Sequence, residues 1–203
     1  MSDCELRCVH RYDLTRSWLV GSGCLTSTTR WPVPGKPCSL SVTPSCNLLV
    51  TCQEPNKLVE LSADSGQCVR EVALQEDIVN PRHGVQLTTG QYVVCCGSRL
   101  FHLHRVCTVD DNGKVTRSYG SQGGSDFGQL KGPSHLAVDE DLQLIFVVDW
   151  GNDKVVVLNQ ALELVGHITV GLPYSLRLYL HHAKRRLYVG QWPNDVGLIV
   201  IQL

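Results

Sequence analysis

Eight histidines are the side chains of this sequence best suited to acid–base or metal chemistry. They are His10, His83, His102, His104, His135, His167, His181 and His182. On a strand, His102 and His104 would point to the same face and could form a metal pair. His83 and His135 occupy comparable places in two repeated segments, but no repeated carboxylate accompanies them. The sequence therefore predicts no catalytic site, no stoichiometric metal and no cofactor.

The ten cysteines, all within the first 107 residues, are the other reactive side chains. No C-x-x-C pair occurs, whereas zinc sites typically use paired short spacings. A disulfide scaffold would link every repeat, yet residues 108–203 contain no cysteine. We therefore expect reduced cysteines that pack as small hydrophobic residues, as in a cytoplasmic protein. Cys95 and Cys96 would point to opposite faces of a strand, so one of them is expected to be exposed.

Motifs of nucleotide-binding and hydrolytic enzymes are absent from the sequence. No P-loop, G-x-G-x-x-G, G-x-S-x-G or Ser/His/Asp order occurs. Gly120–Gly124 is rich in glycine, but a strand follows it where a phosphate site would need a helix. The chain has 18 Lys and Arg against 19 Asp and Glu, which gives a net charge of −1. This balance argues against a large phosphate-binding surface, despite the small basic cluster Lys184–Arg186.

Composition indicates an ordered globular protein without a membrane partner. Hydrophobic residues make up 43% of the chain and charged residues 18%. The longest apolar runs, such as Leu144–Val148, are far too short to cross a bilayer. Residues 1–8 contain no apolar segment of the signal-peptide type, so a cytoplasmic location is expected.

Internal repeats must position any functional side chain. Proline begins comparable segments at Pro37, Pro81, Pro133 and Pro173. The spacings are 44, 52 and 40 residues, which is the size of a propeller blade. Each proline is followed by an alternating apolar strand, a turn and a second strand. Ile145–Leu158 and Leu187–Val200 align without a gap, and Leu48–Leu61 follows the same frame.

These repeats predict an all-β fold of the β-propeller type. Complete units add a fourth strand after a turn, at Cys68–Leu74 and Val115–Tyr119, and four antiparallel strands make a blade. About four blades are recognisable in a single propeller region over 1–203. They comprise a partial blade at 1–30, blades at 31–75, 81–120 and 133–171, and an incomplete terminal blade at 173–203. We expect part of a larger propeller, or a chain that completes its ring by self-association.

The segment Gly120–Asp139, followed by Ile145–Leu158, resembles an NHL repeat. The shared features are a glycine-rich entry, a proline, a small apolar strand ending in Asp, an aromatic-Val-x-Asp strand, and Gly-Asn before a valine-rich strand. The resemblance is strongest over residues 81–171 and implies a six-bladed propeller. Cys52, Cys96 and Gln191 replace the Asp of the second strand, so the turn hydrogen bonds expected of Asp149 must differ in those blades.

The resemblance also implies a function. Chains similar to this one often form the substrate-recognition end of tripartite-motif (TRIM-NHL) ubiquitin ligases. We therefore expect a protein-interaction scaffold or substrate-recognition module that is not itself an enzyme, because ligase activity would belong to a RING domain absent from these residues. An RNA-binding propeller is the alternative, although the net charge of −1 disfavours it. A metal-dependent lyase or hydrolase of propeller fold is the third interpretation.

One face of the predicted propeller collects the candidate binding residues. Strand direction reverses at each turn, so the loops between second and third strands share a face with the loops between blades. This surface, the loop face, is predicted to bind a protein partner through Arg99, Phe101, Trp150, Asn152, Trp192, Asn194 and Asp126. The tryptophans could instead pack on their own turns. Gln53 takes their place in an earlier repeat, which favours partial exposure, and burial of both would leave the loop Ser121–Lys131 as the candidate.

Overall fold

The computed structural model describes residues 2–12, 29–98, 103–170, 175–191 and 197–203. Over these ranges the chain is built of strands, with two short 3-10 turns at Trp150–Asn152 and His182–Lys184. No helix in the described ranges is long and apolar enough to cross a membrane.

Five antiparallel sheets follow one another along the described chain, three with four strands and two with three. The first contains β1 (Ser2–Asp3), β2 (Cys8–Arg11) and β3 (Thr29–Pro32). The second contains β4 (Lys36–Val42), β5 (Leu48–Gln53), β6 (Lys57–Leu61) and β7 (Cys68–Ala73). The third contains β8 (Pro81–Gln86), β9 (Tyr92–Ser98), β10 (Leu103–Val109) and β11 (Val115–Tyr119).

The fourth sheet contains β12 (Pro133–Asp139), β13 (Leu144–Asp149), β14 (Lys154–Asn159) and β15 (Leu164–Thr169). The fifth contains β16 (Ser175–His181), β17 (Arg186–Gln191) and β18 (Leu198–Gln202). From the second sheet onward, the first strand of one sheet contacts the first strand of the following sheet. The strands β4, β8, β12 and β16 therefore lie side by side. Separate apolar clusters fill the spaces between successive sheets. This succession of blades confirms the predicted fold class.

Burial explains why the middle strands of each blade are so apolar. Consecutive residues of β13 and β14 are buried, whereas β15 alternates between exposed and half-buried positions. A strand whose two faces both pack on neighbouring sheets needs apolar side chains at every position. The expectation that one of Cys95 and Cys96 is exposed is therefore wrong, since β9 is covered on both faces and both thiols are buried.

The registers confirm the repeat frame and correct it at two points. Pro133 pairs with Asp149, and Ser175 pairs with Gln191, so the fourth anchor is Ser175 in place of the predicted Pro173, which lies outside the described residues. The alignment of Ile145–Leu158 with Leu187–Val200 also fails after Gln191. Ile145 pairs with Leu158, but Leu187 pairs with Ile201, so the loop that follows β17 is one residue longer.

Candidate functional site

The strand registers fix which loops share an edge of the blades. Lys57, which begins β6, pairs with Cys52 on β5 and with Ala73, which ends β7. The loop between β5 and β6 therefore leaves the same edge as the connection to the next sheet, which is the loop face. Trp150, Asn152 and Asp126 lie on loops of this face. The other predicted contact residues, Arg99, Phe101, Trp192 and Asn194, lie outside the described residues.

Trp150 is half-buried at the start of a 3-10 turn. Its indole packs against the apolar cluster between the fourth and fifth sheets. The ring also stands close to Gly132, where an added Cβ would lie 3.2 Å from the indole Cε3. Its backbone N–H donates to the carbonyl of Gly132 at 3.3 Å. The indole thus contributes to the core while part of its surface stays accessible on the loop face.

Asp149 fastens the long loop that connects the third and fourth sheets. Its buried carboxylate accepts the backbone N–H of Lys131 at 2.6 Å and the side-chain amide of Asn152 at 2.7 Å. Lys154 Nζ stands 3.8 Å from the same carboxylate. Burial raises the pKa of Asp149, and the hydrogen bonds from Asn152 and Lys131 oppose that rise. This is the turn function that the repeat frame predicts for the Asp of the second strand.

Asn152 extends the same network into the loop. Its side-chain N–H donates to the carbonyl of Gly124 at 3.0 Å, and its Oδ1 accepts the hydroxyl of Ser125 at 2.7 Å. The amide is therefore engaged within the chain, and Asn152 positions the loop for whatever the loop binds.

His104 is a second fastening point, buried beneath the loop. Its Nδ1 accepts the backbone N–H of Gly132 at 3.1 Å. An added Cβ at Gly123 would lie 2.2 Å from the ring Cδ2, so the glycine lets the loop approach the imidazole closely. The ring serves the packing of the loop, and His102, its predicted partner in a metal pair, lies outside the described residues.

The tip of this loop presents an aromatic side chain that the sequence did not single out. Phe127 is 92% exposed, and the adjacent Asp126 is exposed as well. The tip is closed by the N–H of Gln129, which donates to the carbonyl of Asp126 at 3.0 Å. A lone aromatic within a run of Gly, Ser, Asp and Gln was the available signal, because such a residue has no strand on which to pack.

Two histidines meet where the innermost strands β8 and β12 adjoin. The ring centroids of His83 and His135 are 3.7 Å apart, and the backbone N–H of Leu178 donates to His135 Nδ1 at 3.4 Å. Burial lowers the pKa of His135 to about 3 and that of His83 well below its usual value. The cation of Arg177 lowers both further. Both imidazoles are therefore neutral at pH 7, and Nδ1 of His83 has no hydrogen-bond partner within the described structure.

Comparison with known proteins shows the fold. No protein-family model matches the sequence, and a search of curated proteins finds no match. A protein of unknown function from Bacteroides caccae is similar in structure, with a TM-score of 0.67 and 17% identity over 88% of this chain and 68% of that one. Virginiamycin B lyase from Staphylococcus aureus matches with a TM-score of 0.60 and 13% identity over 99% of this chain and 64% of the lyase.

The β-propeller domain of Cps50 (Swd1) from Myceliophteria thermophila is also similar, with a TM-score of 0.59 and 12% identity. That match covers 87% of this chain and 62% of the Swd1 chain. This chain therefore has a β-propeller fold and spans less than two thirds of the lyase and Swd1 chains.

Proposed function

We propose that this chain is a protein-interaction module that recognises a partner through its loop face. The observation that carries the proposal is Phe127, which is 92% exposed at the tip of a loop fastened from below. An exposed aromatic side chain on an ordered support has the character of a binding hot spot. Trp150, half-buried on the same face, adds apolar surface.

The hydrogen bonds that hold the loop Ser121–Lys131 in place favour partner binding. Asp149, Asn152 and His104 hold its two ends through hydrogen bonds to Lys131, Gly124 and Gly132. Because the loop is ordered before a partner arrives, binding does not have to provide the free energy for ordering it. Burial of a phenylalanine side chain contributes about 2 kcal/mol, which corresponds to roughly 30-fold in affinity.

Partner capture with matched variants tests the proposal. Proteins retained from a cell lysate by the wild-type chain should be retained far less by Phe127→Ala. Val165→Ala is the control, since Val165 is 60% exposed on β15, away from the loop. Equal retention of every captured protein by all three chains would refute a role for the loop.

We also propose that the propeller is of the NHL type and that its partner is a substrate of a TRIM-NHL-like ubiquitin ligase. The support is the NHL-like sequence of Gly120–Asp139 and the turn network that Asp149 forms. The endogenous protein that carries this chain, purified from cells and supplied with ubiquitin, ubiquitin-activating enzyme and ubiquitin-conjugating enzyme, should attach ubiquitin to the captured partner. A partner that stays unmodified would contradict the ligase assignment without affecting the binding proposal.

We propose no enzymatic activity for these residues, although the similar structures include lyases. The innermost strands bring together His83, which is buried, and His135, which is half-buried, and both imidazoles are neutral and feel the charge of Arg177. Two imidazoles in contact with each other and largely shielded from solvent are poorly placed to reach a substrate. Incubation with virginiamycin B should leave the compound unchanged, and its conversion by this chain but not by His135→Asn would contradict the proposal.

We propose that RNA is not the partner. The basic cluster Lys184–Arg186 lies at the turn between β16 and β17, at the edge opposite the loop face. Three cationic side chains on a chain with a net charge of −1 offer few contacts to the phosphates of an RNA. Sub-micromolar binding of a folded RNA at physiological salt, lost when these three side chains are neutralised, would overturn this view.

We propose self-association as a second interaction, through the open face of the fifth sheet. Ala137, Phe146 and Val157 of the fourth sheet are buried beneath the fifth. Register places three residues of the fifth sheet at the corresponding positions, namely Tyr179, Tyr188 and Val200. Two of these are largely open, with Tyr179 62% and Val200 49% exposed. Among the described residues no sheet covers the corresponding face of the fifth sheet, and a second copy of the chain would supply one.

Light scattering of the purified chain tests this interaction. We expect a dimer that Val200→Lys converts to monomer, while Val69→Lys, at an exposed position of β7, leaves it intact. A monomeric wild-type chain at the same concentration would refute self-association.

A further inference from the structure

Three potential metal ligands meet on one face of the first sheet. Cys8 and His10 are two residues apart on β2, so their side chains point to the same side of the strand. Asp3 on β1 pairs directly with Cys8, which places its side chain on that side as well. The grouping arises from strand pairing, and a search for paired short spacings in the sequence does not detect it.

Two distances between the donor atoms are close to those of a tetrahedral metal site. Cys8 Sγ lies 3.2 Å from His10 Nε2, and Asp3 Oδ2 lies 3.4 Å from the same nitrogen. All three donor atoms lie within 4.8 Å of one another. Zinc bonds of about 2.0–2.3 Å at tetrahedral angles place neighbouring donors roughly 3.3–3.6 Å apart. The two distances to His10 Nε2 are therefore close to those that one zinc ion would set.

Hydrogen bonds from the backbone orient the carboxylate of Asp3 toward the other two ligands. Asp3 Oδ1 accepts the backbone N–H groups of Glu5 and Leu6 at 3.1 and 3.0 Å. These bonds fix the carboxylate and leave Oδ2 directed at the imidazole. Hydrogen bonds from outer groups to the ligands of a metal commonly orient them in this way. Cys8 is buried, so the thiol is held in place and shielded from solvent.

We propose that Asp3, Cys8 and His10 form a binding site for one divalent metal ion, with a thiolate, an imidazole and a carboxylate as ligands. This donor set suits Zn²⁺, and a water molecule completes the tetrahedron. The proton of the Cys8 thiol is released to solvent on binding. The bound ion ties β1 to β2, so it stabilises the first sheet. The proposal replaces the sequence-based expectation that no metal is held.

Titration of the purified chain with Co²⁺ tests the site, because a cobalt–thiolate bond gives a charge-transfer absorption band. We expect the band to saturate at one equivalent per chain and to be displaced by Zn²⁺. Cys8→Ser should abolish it, and Asp3→Asn should weaken binding at least tenfold. Cys4→Ser is the matched control, because Cys4 is exposed and outside the cluster, and it should leave the band unchanged.

A wild-type chain without the band, or a band that persists in Cys8→Ser, would overturn the assignment. Circular dichroism of each variant shows whether it is folded. If Cys8→Ser does not fold, the milder Asp3→Asn decides: an unchanged cobalt affinity in that variant overturns the site.

Discussion

Acid should destabilise this protein through the pair His83, which is buried, and His135, which is half-buried. Both imidazoles are neutral in the folded chain, and burial is the main cause of their lowered pKa values. In the unfolded chain the same groups titrate near their ordinary pKa of about 6.5. Between that value and the folded pKa the unfolded state binds more protons, so the free energy of unfolding falls as pH falls. The stabilisation is complete above about pH 7 and is lost progressively below it.

The size of the effect follows from the pKa values. The pKa of His135 is about 3 in the folded chain. Protonation of the unfolded histidine between pH 7.5 and pH 5 then lowers the free energy of unfolding by about 2 kcal/mol. The pKa of His83 is lowered in the same direction, so His83 adds to this loss. A loss of about 2 kcal/mol from His135 alone is already a sizeable part of the roughly 5–15 kcal/mol typical of a folded domain.

Urea unfolding at both pH values, for the wild type and His135→Asn, measures the contribution of one member. The amide oxygen can still accept the N–H of Leu178, but the side chain does not titrate. We expect the acid-induced loss in the variant to be smaller by about 2 kcal/mol. His182→Asn, at an exposed position, should lose as much as the wild type. The raised pKa of Asp149 acts in the opposite direction in all three proteins. An undiminished loss in His135→Asn would refute the reasoning.

Two further predictions concern the turns and the loop. Gly113→Ala should lower the free energy of unfolding by more than about 2 kcal/mol, because the new Cβ would lie 1.7 Å from the carbonyl oxygen of Ala73. Gly90→Ala, with a similar positive φ but open space, should cost only about 1 kcal/mol in the same urea measurement. Asp149→Asn should lower the free energy of unfolding by about 1–3 kcal/mol and speed proteolytic cleavage near Lys131. The reason is that the new amide N–H would point at a group that itself donates, either the backbone N–H of Lys131 or the side-chain amide of Asn152. Cleavage at the wild-type rate would contradict the fastening role of Asp149.

The strands were predictable because their periodicity and turn residues are local. The strand Val115–Tyr119 begins and ends as the sequence indicates, and the strand predicted at Cys68–Leu74 ends one residue earlier, at Ala73. What local patterns missed depends on how strands pair. Ser175 is the fourth anchor because the irregularity in register that follows the proline in the earlier blades follows Ser175 here. The burial of Cys96 depends on sheets that cover both faces of its strand.

The turn role of Asp149 in the candidate site was predictable from the sequence, but the contacts between distant segments were not. Asp149 was expected to form turn hydrogen bonds because it ends the second strand of the NHL-like segment, and it does. The exposure of Phe127 depends on how the loop folds over His104, which lies some twenty residues earlier in the chain. The grouping of Asp3 with His10 depends in the same way on the pairing of β1 with β2. Local sequence patterns do not reveal contacts of this kind, because the fold brings the residues together.

Site-specific photo-crosslinking from position 127 tests the central claim, that the loop face binds a protein partner. A benzoylphenylalanine in place of Phe127 keeps an aromatic ring at the exposed tip and reacts only with groups in direct contact. The same group at Val165, exposed on β15, is the control. We predict a discrete protein adduct from position 127, absent from position 165, that an excess of unlabelled wild-type chain suppresses. The same adducts from both positions, or none from 127, would contradict the account.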